Sequence, residues 1–283
     1  MLKRIGLVCV LVGMLGMTAF AEQSIETQST TYKTVDGQSL QVVAYYPEGW
    51  KVTDKRSALL CYHGGGWVKG GVGHFAKQSV YFAKRGMVAF CFEYRLLKKN
   101  AKNVADCLMD AKSAYQWTFD HAKAYGIDPA KMVVMGGSAG GHLAAAVTLC
   151  PNPDPKASSL PIKPIAMVLY NPVLDVPEFV GNKDYATQGL SDPTTVSPMH
   201  HLSKDAPPIL VLHGTKDPVV PFATATKFVE GLKALGVNAT LIPYEGRSHG
   251  FFNPKKGQME DHQKSLTDAD AFLTGLGLLE PLQ

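Results

Sequence analysis

Strand-like and helix-like segments alternate along most of the chain, and that order restricts the available folds more than any other feature. Stretches that alternate or are rich in β-branched residues, at 40–45, 59–62, 87–92, 132–135, 165–169, 209–212 and 239–242, predict strands. Helical periodicity appears between or after them at 75–84, 104–124, 140–149, 223–235 and 258–273. This order predicts a mostly parallel central sheet with helices on both faces, whose functional loops lie beyond the carboxyl ends of the strands. Strand signals that precede the first helix are expected at an antiparallel edge. Two proline-bearing stretches, 151–164 with five prolines and 175–208 with Pro177, Pro193, Pro198 and Pro207, lack either period and are expected to be loops over one end of the sheet.

With 283 residues, 46% hydrophobic and 18% charged, the chain can bury one large core, which excludes disordered and collagen-like classes. Lys3 and Arg4 precede an apolar stretch over 5–17, and Ala19-Phe20-Ala21 supplies a small-x-small cleavage pattern. Residues 1–21 are therefore expected to be a signal peptide, the mature chain to start at Glu22, and the protein to be secreted or periplasmic. The stretch is shorter than the roughly 20 apolar residues of a spanning helix, so no stable membrane insertion is expected after signal removal. The formal charge is +4, or +2 without Lys3 and Arg4, which is too low a balance to suggest nucleic acid as a partner. Apart from Cys9, the cysteines are Cys61, Cys91, Cys107 and Cys150. They are expected to be free and buried, and with no Cys-x-x-Cys spacing a zinc site is not expected.

The chemistry concentrates in four short motifs. Gly136-Gly137-Ser138-Ala139-Gly140 has the Gly-x-Ser-x-Gly form and falls between a strand and a helix, where a tight turn would leave the Ser138 hydroxyl exposed beside free amide donors. The bare pattern is weak, with about 0.13 matches expected by chance in this composition, so its setting carries the argument. A glycine-rich helix start that packs on the sheet or holds a phosphate is the bland alternative. His63-Gly64-Gly65-Gly66-Trp67, after the strand at 59–62, is far more specific, with about 0.008 chance matches. Successive glycines let main-chain N–H groups approach a developing oxyanion, and Gly65, Gly66 and Ala139 are the expected donors.

A serine needs a base, and the base needs an orienting acid. His249, in a loop after the last strand, is the best base available. Asp217, at the end of the strand at 209–212, precedes it in the required order, with Asp175 and Asp205 as weaker alternatives. His63 and His213 are expected to fix loops and His142 to pack in the helix after Ser138. His74, His121 and His262 read as surface or helix-end residues. His200 and His201 are read as a solvated loop rather than a metal or substrate site. Trp67 and Phe251 are expected to contact substrate, with core packing an equal alternative.

These residues resemble the α/β-hydrolase superfamily, in particular bacterial esterases related to hormone-sensitive lipase and exported acetyl and feruloyl esterases of plant polysaccharides. The resemblance is carried by His63 to Trp67, Tyr94-Arg95-Leu96, Gly136 to Gly141, His213 to Asp217 and His249-Gly250-Phe251. It implies an α/β-hydrolase domain over 22–283 that needs no cofactor and no metal. Ser138 would be the nucleophile, His249 the base and Asp217 the acid, acting on short-chain acyl or hydroxycinnamoyl esters of small molecules or carbohydrate. Gly137 stands where many relatives of hormone-sensitive lipase carry Asp, and no large helical cap precedes the first strand. An open cleft is therefore expected. A serine peptidase or amidase, or a non-catalytic binding protein on the same fold, are the rival readings.

Overall fold

The computed structural model describes residues 25–157, 159–180 and 184–282. The expected signal peptide at 1–21 lies outside them. An eight-stranded sheet runs in the order β1-β2-β4-β3-β5-β6-β7-β8. Its strands are β1 (Glu26–Val35), β2 (Gln38–Tyr46), β3 (Arg56–Tyr62), β4 (Val88–Phe92), β5 (Ile127–Gly137), β6 (Ala166–Tyr170), β7 (Ile209–Gly214) and β8 (Ala239–Tyr244). β1 pairs with β2, and β2 with β4, antiparallel; every other pairing is parallel. The sequence pattern predicts this mostly parallel sheet with an antiparallel edge, but of the strands expected at that edge only β2 is there: β3, which also precedes the first helix, lies inside the sheet and pairs parallel on both sides.

Successive side chains of the central strands point to opposite faces, and each face has its own core. Leu60, Phe90, Val134, Leu169 and Val211 join one cluster with residues of α2 (Val104–Asp120), α3 (Ala139–Leu149) and α5 (Phe222–Ala234). Their neighbours Leu59, Ala89, Val133, Val168 and Leu210 join the other, with α1 (Ala76–Lys84) and α6 (Met259–Gly275). Because both faces are covered, these strands read as continuous apolar runs. At about 1.5–3 kcal/mol for each buried Val, Leu, Ile or Phe, this burial is large enough to hold strained loops at the strand ends.

The sequence expectation departs most from the structure at β1, β5 and α2. β1 gave no strand signal because its residues are mostly Thr, Ser and Gln, exposed or half-buried except for Tyr32. β5 starts at Ile127 rather than 132, extending past Pro129. α2 ends at Asp120 instead of 124, and the chain reverses through a turn that closes at Gly126, φ 59°. The stretch at 175–208 is not wholly loop: it holds the short helix α4 (Val176–Val180) and 3-10 turns at Pro193–Val196 and Pro198–His201. No described helix is long and apolar enough to cross a membrane. The four described cysteines are free and buried.

Candidate active site

β5 delivers the chain into a tight turn. Ser138 follows its last residue and precedes α3 with φ 57° and ψ −121°, a conformation that costs a non-glycine residue about 1–3 kcal/mol. The backbone restrains it on both sides. Its N–H donates to the Tyr170 carbonyl at 2.9 Å, and its own carbonyl accepts from His142 N at 2.9 Å and Val173 N at 3.3 Å. The turn closes only because Gly140 lacks a side chain: a Cβ there would lie 2.1 Å from the Tyr62 carbonyl oxygen.

The structure brings Ser138, His249 and Asp217 together from three strand ends. His249 Nδ1 donates to Asp217 Oδ2 at 2.7 Å, which leaves Nε2 bare to accept from the Ser138 hydroxyl at 3.0 Å. Asp217 is held by its own turn, its Oδ1 accepting from the amides of Val219 and Val220 at 2.8 and 3.0 Å. His213 Nε2 lies 3.0 Å from the Val220 carbonyl and 3.3 Å from Asp217 Oδ2, so its proton ties the acid to the turn. Burial pushes the Asp217 carboxyl up. Hydrogen bonds from His213, His249 and the Val220 amide outweigh that and hold it below the usual carboxylate range. Asp175 instead caps α4, accepting from Glu178 N at 3.0 Å, and Asp205 is an exposed partner of Lys204.

The loop after β3 curls so that Val68 N and Lys69 N both donate to the Gly65 carbonyl at 3.2 Å. Gly65 sits at φ 119°, where a Cβ would fall 2.0 Å from the Lys69 carbonyl oxygen. Among the described residues the amides of Gly65 and Gly66 have no protein acceptor. The Ala139 amide opens α3 and so has no carbonyl a turn behind it. A Cβ on Gly64 would lie 2.9 Å from the Gly137 carbonyl oxygen, so this loop touches the turn that presents Ser138.

Two expected substrate contacts are corrected. Trp67 is 0% exposed and Phe251 1% exposed, so neither offers a surface to a ligand. Trp67, at φ 59°, anchors the glycine loop from inside: its indole donates to His142 Nδ1 at 3.2 Å and its carbonyl accepts from Leu97 N at 2.8 Å. Phe251 stacks on Tyr244 with ring centroids 4.2 Å apart. An aromatic beside glycine takes its fate from which side of the loop faces the core, which a linear motif does not encode.

The remaining histidines are structural, though not all as expected. His142 links Trp67 to the Val196 carbonyl, to which Nε2 donates at 2.7 Å; burial pulls its pKa down to about 4. His63 donates to the Gly64 carbonyl at 2.9 Å, stacks on Tyr94, and is likewise pulled by burial to about 4. Tyr94 returns a bond to the His63 carbonyl at 2.8 Å, and its neighbour Arg95 forms a buried two-pronged pair with Asp110. His74 and His262 lie at helix ends as expected but are half-buried and buried hydrogen-bonding residues rather than surface ones, His262 donating to the Phe252 carbonyl at 2.7 Å. His201 donates to the Thr194 carbonyl and His200 pairs with Ser197 Oγ, and the described residues contain no cluster able to hold a metal. The sequence reading missed Asn171, at φ 34°, whose Oδ1 accepts from Gly250 N at 3.1 Å. It also missed Asn253 and Lys112. Lys112 donates to the Val147 and Cys150 carbonyls at the end of α3, and burial lowers its pKa to about 8.

Known proteins carry the same frame. A family model described as alpha/beta hydrolase fold matches residues 59–253. A thermophilic esterase of Thermogutta terrifontis, solved with propionate bound, is 40% identical with a TM-score of 0.85, covering 91% of this chain and 97% of that one. A probable carboxylic ester hydrolase of Mycobacterium tuberculosis, LipM, is 30% identical over 201 residues, 64% of this chain and 46% of that protein. The isoprenylcysteine alpha-carbonyl methylesterase of Arabidopsis thaliana is 26% identical over 212 residues, 66% of this chain and 48% of that protein. The chain thus spans about half the length of these two curated relatives. With its sheet order, its strained serine turn and this match over most of its length, the chain belongs to the alpha/beta hydrolase family.

Proposed function

We propose that the chain is a serine carboxylesterase that cleaves short-chain acyl or hydroxycinnamoyl esters through an acyl-enzyme. The observation that carries this reading is the continuous hydrogen-bond line from Ser138 Oγ through His249 to Asp217. The Asp217 carboxylate keeps the proton on Nδ1 and stabilises the imidazolium once it forms, so Nε2 can take the serine proton as Oγ attacks the ester carbonyl. Negative charge then develops on the carbonyl oxygen, toward which the Gly65, Gly66 and Ala139 amides supply donors. His249 returns the proton to the departing alkoxide, and water repeats the cycle to free the acid.

The substrate reading draws on shape and on relatives. An open trough of about 570 Å³ borders the glycine loop at Gly64 and Gly65 and runs along Lys69 to His74 with Glu93 on its wall, beside Ser138 and His249 rather than lined by them. The T. terrifontis esterase has been solved with propionate and with butyrate, which favours a short acyl group here. An open trough beside the glycine loop suits a wide alcohol portion, such as an esterified plant polysaccharide. Export is proposed from Lys3, Arg4 and Ala19-Phe20-Ala21 alone. Ser138→Ala is expected to lower 4-nitrophenyl acetate and butyrate hydrolysis by at least about 1000-fold while the thermal midpoint holds. A folded variant with comparable turnover would overturn the mechanism, and faster cleavage of matched anilides by the parent protein would replace esterase by amidase.

A further inference from the structure

The loop that offers the oxyanion donors and the loop that carries His249 are distant in sequence, yet a single pair of side chains joins them. His74, in the 3-10 turn before α1, lies with Nδ1 2.8 Å from the Gly64 amide and Nε2 2.8 Å from Asn253 Oδ1. Asn253 Nδ2 in turn lies 2.9 Å from the carbonyl of Gly250, the residue after His249.

The two ends of this line fix its direction. Gly64 N–H can only donate, so His74 Nδ1 must be bare and its proton must sit on Nε2. Gly250 C=O can only accept, so Asn253 must turn its amide nitrogen to it and its oxygen to His74. Each of the three bonds therefore allows one polarity only. The ring is clamped as well. Its centroid lies 5.2 Å from that of Phe75 and 6.0 Å from that of Phe252, and a Cβ on Gly64 would be 3.0 Å from its Cε1. Burial, opposed by the Asn253 bond and reinforced by Lys255, holds His74 below the ordinary histidine range, so the neutral form the line requires is the favoured one.

We propose that His74 and Asn253 form a strut that sets the spacing between the oxyanion donors and the His249 imidazole, both acting as positioning residues. The inference rests on the esterase reading. A rigid spacing matters because the transition state spans both loops: the imidazole receives the proton while the amides receive the charge, and a misplacement of about 1 Å can cost about 100-fold in rate.

A double-mutant cycle on the full chain tests it. His74→Phe keeps the ring volume and removes both bonds; Asn253→Leu removes the other half of the line. Each single variant is expected to lower kcat for 4-nitrophenyl butyrate about 10- to 100-fold with KM changed less than about 3-fold, because binding is retained while transition-state alignment is lost. The double variant is expected to be no slower than the slower single, since a strut is broken by one cut. His74→Asn, which can keep the Gly64 bond but not the reach to Asn253, also cuts the line and should be about as slow as Asn253→Leu, and it replaces His74→Phe in the cycle if that variant does not fold. Multiplying rather than saturating losses, or unchanged kcat in folded variants, would overturn the strut while leaving the esterase reading intact. Absence of ester hydrolysis by the parent protein would overturn both.

Discussion

Ser138 and His249 face each other across 3.0 Å, yet they are held by different kinds of restraint. Ser138 is fixed by main chain. Its own N–H and C=O are bonded to backbone, and the turn around it closes through backbone-to-backbone approach at Gly140. The loop of His249 has main-chain ties as well, Lys216 N donating to the Arg247 carbonyl at 3.0 Å and Asn253 N to the Gly250 carbonyl at 3.1 Å, but around the base side chains add their own hold, with Asn171 on the Gly250 amide, Asn253 Nδ2 on the Gly250 carbonyl, and Asp217 on the imidazole. The nucleophile is therefore set by the strand-to-helix connection, whereas the base also depends on side-chain bonds that can be removed one at a time. Strain is placed in a turn flanked by buried residues, and adjustability at a base whose side chain is 21% exposed.

The sharpest way to break this contrast is at Gly140. Gly140→Ala puts a Cβ into the Tyr62 carbonyl, and because backbone cannot step aside, a loss of about 3 kcal/mol or more in chemical denaturation is expected together with loss of activity. A near-normal midpoint would show that the serine turn is softer than its geometry implies. Asn171→Ala probes the opposite side. It deletes the acceptor for Gly250 N, so kcat is expected to fall about 10-fold with a small change in KM. If it instead unfolds the protein as Gly140→Ala should, the distinction between the two sides disappears.

A smaller effect is expected from pH. His63 and His142 brace the glycine loop and are pulled to about 4 by burial, against an ordinary value of about 6.5 in the unfolded chain. Between those values the unfolded state binds the more protons, so their stabilisation is complete above about pH 6.5 and declines as pH falls toward 4. The thermal midpoint should drop across that window, less steeply in His142→Gln. Asp217 stays ionised there because its carboxyl is held below the usual range, so acid loss of activity is not expected to come from that carboxylate.

Seven of the eight strands and the five longer helices are legible in the sequence because burial on both faces, or on one helical stripe, leaves a periodic apolar record. Ser138, Asp217 and His249 were legible for another reason: each follows a strand that ends in the same direction. The struts were not. Asn171, Asn253 and His74 matter through which loop they meet, and a contact between residues 74 and 253 leaves no local pattern. Trp67 and Phe251 show the converse, a suggestive neighbourhood in sequence that the fold turns inward. β1 was missed because its residues carry no apolar alternation.

That missing pattern at β1 has its own physical meaning. The strand is ten residues long and forms one border of the sheet, and among the described residues no other strand matches its outer row of amide and carbonyl groups. A flat, greasy ribbon in that place would serve as a template for a neighbouring molecule and seed aggregation. Instead it presents hydroxyls and amides, Lys33 reaching across to Asp110 of α2, and its pairing slips between Thr31 and Lys33. The same polarity that hides the strand from pattern recognition discourages a second chain from docking along it.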